Sequence, residues 1–195
     1  MQTFLMWRNY AFSMLHLDPR RLFKQRLEAE GILREITGRS DRWKNHPAVR
    51  MWKGYAPALT GYVWCISQAA KKRGLAYITL DEPKMAQIAD EAGVGPDIPR
   101  VIAEFMADEL PDFTTRPPVT LPPWWADDRL YLSHRSSLLR KAKEGWRKGH
   151  EEGNKRYLGY YDIWLPFYQS VFGDIPDDLP YFWPPNEPEY AIFFQ

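Results

Sequence analysis

The residues best suited to chemistry lie between Leu17 and Leu33, where Glu28 follows Lys24 by four positions, Gln25 by three and Arg21 by seven. On a helix advancing ~100° per residue, Arg21, Gln25 and Glu28 form a polar stripe beside an apolar face of Leu22, Ala29, Ile32, Leu33 and Ile36. A carboxylate on the shoulder of a dry face can move protons and steady a developing positive charge, while the cations beside it suit a phosphate. Arg20, Arg26, His46, Arg50 and Lys53 extend this basic character, and His134, Arg135, Arg140 and Lys141 repeat it late in the chain. The common alternatives are thinned. The four histidines, His16, His46, His134 and His150, are not spaced as metal ligands, and Cys65 stands alone. There is no phosphate-cradling glycine loop, no Gly-x-Ser-x-Gly elbow and no dinucleotide fingerprint, so neither a metal nor a cofactor is expected. The plainer reading of the stripe is the solvated flank of an amphipathic helix.

The elements that must position these residues can be read in order. Asn9 to His16 suits a short helical turn. Asp18 is a good N-cap and Pro19 a good first helical residue, so a helix should run to about Ile36, before Thr37-Gly38. After a basic loop carrying Trp43, Asn45 or His46 caps a second helix with Pro47 in its first turn. Pro57 and Gly61 predict a kink or a second start before a helix over Leu59–Lys72, with Tyr62 to Ile66 in its core and Lys71-Lys72-Arg73-Gly74 closing it. Residues 75–123 turn acidic and proline-rich, with two short amphipathic helices from Glu82 and Ile98, and read as an insertion or lid too small to be a domain. Asp127 or Asp128 caps another helix, with Leu130, Leu138 and Leu139 inward and His134, Arg135, Arg140 and Lys141 outward. Residues 142–156, highly charged and interrupted by glycines, have weak helical character, and 157–195 read as an irregular aromatic and proline-rich tail that wraps the body. The expectation is an all-α single domain over 1–195: about three main helices, long loops, the acidic helical insertion and the tail.

The 195 residues include nine Trp, eleven Tyr, ten Phe and 17 Pro. A net charge of +1 conceals strong segregation: residues 1–80 carry +9, 81–128 carry −8, 129–160 carry +6 and 161–195 carry −6. If the basic segments meet, they make a field suited to a polyanion such as double-stranded DNA, while the acidic insertion or the aromatic tail offers a surface for a protein partner. No secretory signal and no uninterrupted apolar run of about 18 residues is present, which sets a soluble cytoplasmic protein, without a membrane partner, as the expectation.

Five motifs in order carry a resemblance: Met1-Gln2-Thr3-Phe4-Leu5; the Asp18 to Leu33 helix with Lys24-Gln25-Arg26 and Glu28; Asn45-His46-Pro47-Ala48 with Met51-Trp52-Lys53-Gly54-Tyr55; Pro122-Pro123-Trp124 with Ser133-His134-Arg135-Ser136; and Pro176-Asp177-Asp178-Leu179-Pro180-Tyr181-Phe182-Trp183-Pro184. Together the chain resembles the pyrimidine-dimer DNA glycosylases of the bacteriophage endonuclease V type, in a distant subfamily. The resemblance implies a compact all-α protein that attacks C1′ of a damaged nucleotide with its own α-amino group. The resulting imine leads to β-elimination of the strand, which is glycosylase and abasic-site lyase activity. An unperturbed α-amine, with pKa about 7.7–8.0, leaves a useful neutral fraction near neutral pH. The resemblance puts Glu28 at the family's glutamate and makes Met1 the nucleophile, because bulky Gln2 should leave the methionine in place. Arg20, Arg21, Lys24, Gln25, Arg26, His46, Arg50, Lys53, His134, Arg135, Arg140 and Lys141 become the DNA-facing set. The arginine neighbouring the family's glutamate falls here on Leu27, and the one a turn later on Gly31.

The competing function is a DNA-binding or assembly protein that kept the scaffold without the chemistry, a reading favoured by Gln2 and by the acidic insertion.

Overall fold

The computed structural model describes residues 2–105 and 119–182. Among them the chain is entirely helical, with α1 (Tyr10–Leu15), α2 (Pro19–Ile36), α3 (Pro47–Trp52), α4 (Ala56–Lys72), α5 (Glu82–Glu91), α6 (Ile98–Phe105), a 3-10 turn (Pro123–Ala126), α7 (Asp128–His150) and α8 (Tyr160–Phe172). This agrees with the all-α expectation. The described residues divide into two compact units, the first within Met1–Ala126 and the second Asp127–Phe182.

The first unit is built around α4, against which α1, α2 and α6 pack. Two proline starts set its helices. The Asp18 carboxylate accepts the Arg21 N–H and caps α2, with Pro19 in the first turn. His46 caps α3 through Nδ1, which accepts the Ala48 N–H, and Pro47 follows it. Pro57 lies in the first turn of α4 and starts the helix instead of kinking it. At the far end the chain leaves through Gly74 at φ +67°, a left-handed conformation that favours glycine, after the cations Lys71 and Lys72.

Gly61 does not break α4 either. It is buried where α6 crosses, and a Cβ built there would lie 2.7 Å from the branched Cβ of Ile102. The glycine thus permits a close helix approach, and α6, read from sequence as part of an insertion, belongs to the core of this unit. Gly61→Ala is expected to displace α6 and cost about 1–3 kcal/mol, measured as a lower urea midpoint.

Aromatics fill the rest of this core. The fully buried Trp124 donates its indole N–H to the Met51 carbonyl at 3.0 Å and meets Trp52 edge to face at 5.1 Å. Tyr10 stands edge to face between Tyr62 (5.5 Å) and Trp125 (4.9 Å) and donates its hydroxyl to the Ala58 carbonyl. Under this layer runs the extended segment from Gln2 to Met6, every residue of which is buried.

In the second unit α7 packs on α8. Here two expectations are corrected. Residues 142–150 continue α7 to His150, because Gly145 and Gly149 are packing positions: a Cβ at Gly145 would overlap the Tyr161 ring, and one at Gly149 would press on the Leu158 backbone. Residues 160–172 of the supposed irregular tail form α8 despite Pro166 within it. The loop that follows is tied to α7. Arg140 donates to the Asp177 and Leu179 carbonyls at 3.0 and 3.2 Å, Ser136 Oγ accepts the Leu179 N–H at 3.1 Å, and Lys143 pairs with Asp177 at 2.9 Å. The remainder of the tail, 183–195, lies outside the described residues.

Candidate active site

The site grows from the buried start of the chain. With no regular partner strand, the backbone of Gln2 to Phe4 must find hydrogen bonds elsewhere, since an unpaired buried amide is costly. Helix α2 supplies them. The Gln2 N–H donates to Glu28 Oε2 at 3.0 Å, and the Phe4 N–H donates to Gln25 Oε1 at 2.6 Å. From α4, the Tyr62 hydroxyl lies 2.7 Å from Gln25 Oε1 and 3.0 Å from the Phe4 carbonyl, its proton directed between the two acceptors. From α3, Trp52 donates its indole N–H to Thr3 Oγ1 at 2.9 Å. Three helices therefore clamp one extended strand.

Glu28 is the point where strand and helix meet. Its side chain is 15% exposed; Oε2 accepts from Gln2 N–H and, at 3.3 Å, from Gln25 Nε2–H, while Oε1 lies 3.7 Å from the mostly exposed Lys24 ammonium. The Gln25 amide can take only one orientation, because its oxygen must face the Phe4 N–H and its nitrogen an acceptor-only carboxylate. Burial, reinforced by the Glu28 charge, pushes the Tyr62 phenol well above its ordinary pKa, so it remains a donor. Beside Glu28 opens a cleft of about 450 Å³ lined by Lys24, Glu28, Arg34, Glu35, Arg42 and Trp43 among others. Trp43 is 48% exposed, and the buried Glu35 accepts the Ser40 hydroxyl at 2.5 Å. Two carboxylates, three cations and an exposed indole make a cleft suited to a phosphate-bearing aromatic ligand.

The candidate residues fall into distinct environments. Met1 lies outside the described residues. Arg20, Lys24, Arg50 and Lys53 are exposed, and Arg21 and His46 are half-buried. His46 is held by its capping role: with Nδ1 accepting, a neutral ring carries its proton on Nε2, and burial draws its pKa below the ordinary value. Gln25 is completely buried and belongs to the network under the strand. Arg26 spends its guanidinium on the Tyr77 and Ile78 carbonyls, both at 3.3 Å, and on Glu30 at 3.5 Å. In the second unit His134 is fully buried and Arg135 half-buried, with burial pulling the Arg135 guanidinium below its usual range. Arg140 is occupied by the loop carbonyls, and the Lys141 ammonium sits 5.7 Å from the Tyr181 ring.

Sequence reasoning missed Tyr62, the Trp52–Thr3 tie and the cleft residues Arg34, Glu35, Arg42 and Trp43. The loop from Gly38 to Lys44 did stand out as basic with a tryptophan, but nothing in its spacing pointed to Glu28. Among the described residues no group of three His, Cys, Asp or Glu could hold a metal ion, and no helix is long and apolar enough to cross a membrane.

Chain start, carboxylate and basic cleft thus define a helical protein whose N-terminal strand is hydrogen-bonded to a glutamate of its first long helix. Residues 1–82, which hold α1 to α4 and the whole clamp, match the family model described as pyrimidine dimer DNA glycosylase. This agrees with the resemblance drawn from the sequence. No curated protein and no solved structure matches the chain.

Proposed function

We propose that the protein is a DNA glycosylase and abasic-site lyase that acts on damaged or modified bases in duplex DNA through the α-amino group of Met1. The observation that carries this reading is the 3.0 Å hydrogen bond from Gln2 N–H to Glu28. The α-nitrogen of Met1 is separated from that N–H by three covalent bonds, so the reading needs only a short reach from amine to carboxylate.

The chemistry follows from that proximity. The neutral amine attacks C1′ as the glycosidic bond breaks, and the base leaves with the bonding pair and takes up a proton. Ring opening of the resulting N,O-acetal breaks the C1′–O4′ bond, with O4′ keeping the pair and taking up a proton as a hydroxyl, and leaves an iminium at C1′. Loss of the C2′ proton to a base then expels the 3′ phosphate by β-elimination. Glu28 carries a negative charge beside the cationic sugar and is the group in place to receive and return protons. Lys24, Arg34 and Arg42 would hold phosphates at the cleft, with Trp43 stacking against an unstacked base. Arg20, Arg21, His46, Arg50 and Lys53 extend the DNA-facing set in the first unit, and Arg135 and Lys141 in the second. Gln25, Arg26 and Arg140 are engaged by hydrogen bonds within the fold and His134 is fully buried, so these four stand outside the DNA-facing set.

The test is a duplex carrying one abasic site. The protein is expected to cleave it by β-elimination, leaving an unsaturated aldehyde on the 3′ end, and to lose this activity when its α-amine is acetylated. Salt-sensitive binding without any cleavage would select the non-catalytic reading instead.

A further inference from the structure

Gln25 stands at the centre of the site and yet offers no surface to DNA. It is completely buried, and both ends of its amide are engaged. Oε1 receives Phe4 N–H at 2.6 Å and the Tyr62 hydroxyl at 2.7 Å, and Nε2 donates to Glu28 Oε2 at 3.3 Å. Its hydrogen bonds therefore join the N-terminal segment, α4 and the carboxylate at once. A carboxylate held by a single donor can swing about its terminal torsion. Two donors from different directions, Gln2 N–H and Gln25 Nε2–H, fix its plane and turn the other oxygen, Oε1, towards Lys24.

We infer that Gln25 is a positioning residue: its amide locks the Glu28 carboxylate in register with the start of the chain, and so fixes the carboxylate against the amine that forms the imine. This rests on the glycosylase reading for its consequence in catalysis, but not for its structural content. It also assigns Gln25 a role in the chemical step, where a DNA-facing glutamine would act in binding.

Gln25→Glu separates the two functions of the amide. It keeps an oxygen for Phe4 N–H and Tyr62, so the strand is still held, and replaces the donor towards Glu28 by an acceptor that repels it. For excision of a lesion from duplex DNA at mildly alkaline pH, the expected result is a fall in kcat of about tenfold or more with KM within about twofold of the unaltered protein. Hydrogen exchange read by NMR gives a second signature: the Gln2 amide, which bonds to Glu28 and not to Gln25, loses protection while Phe4 keeps it. A raised KM with unchanged kcat would overturn the proposal in favour of a DNA contact, and unchanged kinetics with a protected Gln2 amide would reduce Gln25 to a strand clamp. Should the unaltered protein excise nothing, the glycosylase reading fails, and the Gln2 amide still decides whether Gln25 positions Glu28. Where the buried charge prevents folding, Gln25→Met removes the same donor without a charge and is expected to give the same fall in kcat and the same loss of Gln2 protection.

Discussion

Glu28→Gln is expected to lower the rate of base release about 10²- to 10³-fold while leaving DNA affinity and its salt dependence in place. The reason is geometric. A glutamine can keep its oxygen towards Gln2 N–H, so the strand remains bound, but the negative charge beside the sugar and the capacity to shuttle a proton are gone. Single-turnover excision kinetics under saturating protein isolate that step, and equilibrium binding at several salt concentrations provides the control. A variant as fast as the unaltered protein would remove Glu28 from the chemistry.

The second large effect is expected at Trp52. This side chain is fully buried, meets Trp124 edge to face at 5.1 Å, and donates to Thr3 Oγ1 at 2.9 Å. Trp52→Ala would open a cavity at the meeting point of α3, the 3-10 turn and the N-terminal strand, at a cost of about 3–5 kcal/mol. Urea unfolding should show a much lower midpoint. Because Thr3 also loses its donor, excision per folded molecule should fall too. Trp52→Phe, which keeps most of the volume and loses the N–H, is expected to be milder in stability while still loosening Thr3.

These two predictions draw on different depths of the sequence. Local chemistry made most of α2 legible: Asp18 and Pro19 fix its start, and of the apolar face Leu22, Ala29, Ile32, Leu33 and Ile36 the first four are buried while Ile36, at the end of the helix, is half-buried. His46 and Pro47 did the same for α3. Glu28 could be singled out by its place on that helix together with the family motif. Its partners could not. Gln25 reads as polar stripe because helical periodicity knows nothing of the strand that runs across it, and a glutamine is buried only where its amide is wholly satisfied. Tyr62 likewise reads as plain core, and nothing around Trp52 announces its tie, since their hydrogen bonds reach residues 58 and 49 positions away. In the second unit the glycines of α7 misled for a related reason. Gly145 and Gly149 look like helix breakers in isolation and are instead places where Tyr161 and the Leu158 backbone come close.

The central claim is that the start of the chain and Glu28 form one reactive site. Its most direct measurement is borohydride reduction of the protein with abasic-site duplex DNA, followed by peptide mapping of the adduct. The expected product is a covalent protein–DNA species whose added mass resides on the α-nitrogen of Met1 in the N-terminal peptide. An adduct on a lysine such as Lys24, or no adduct under conditions where the DNA is bound, would contradict it.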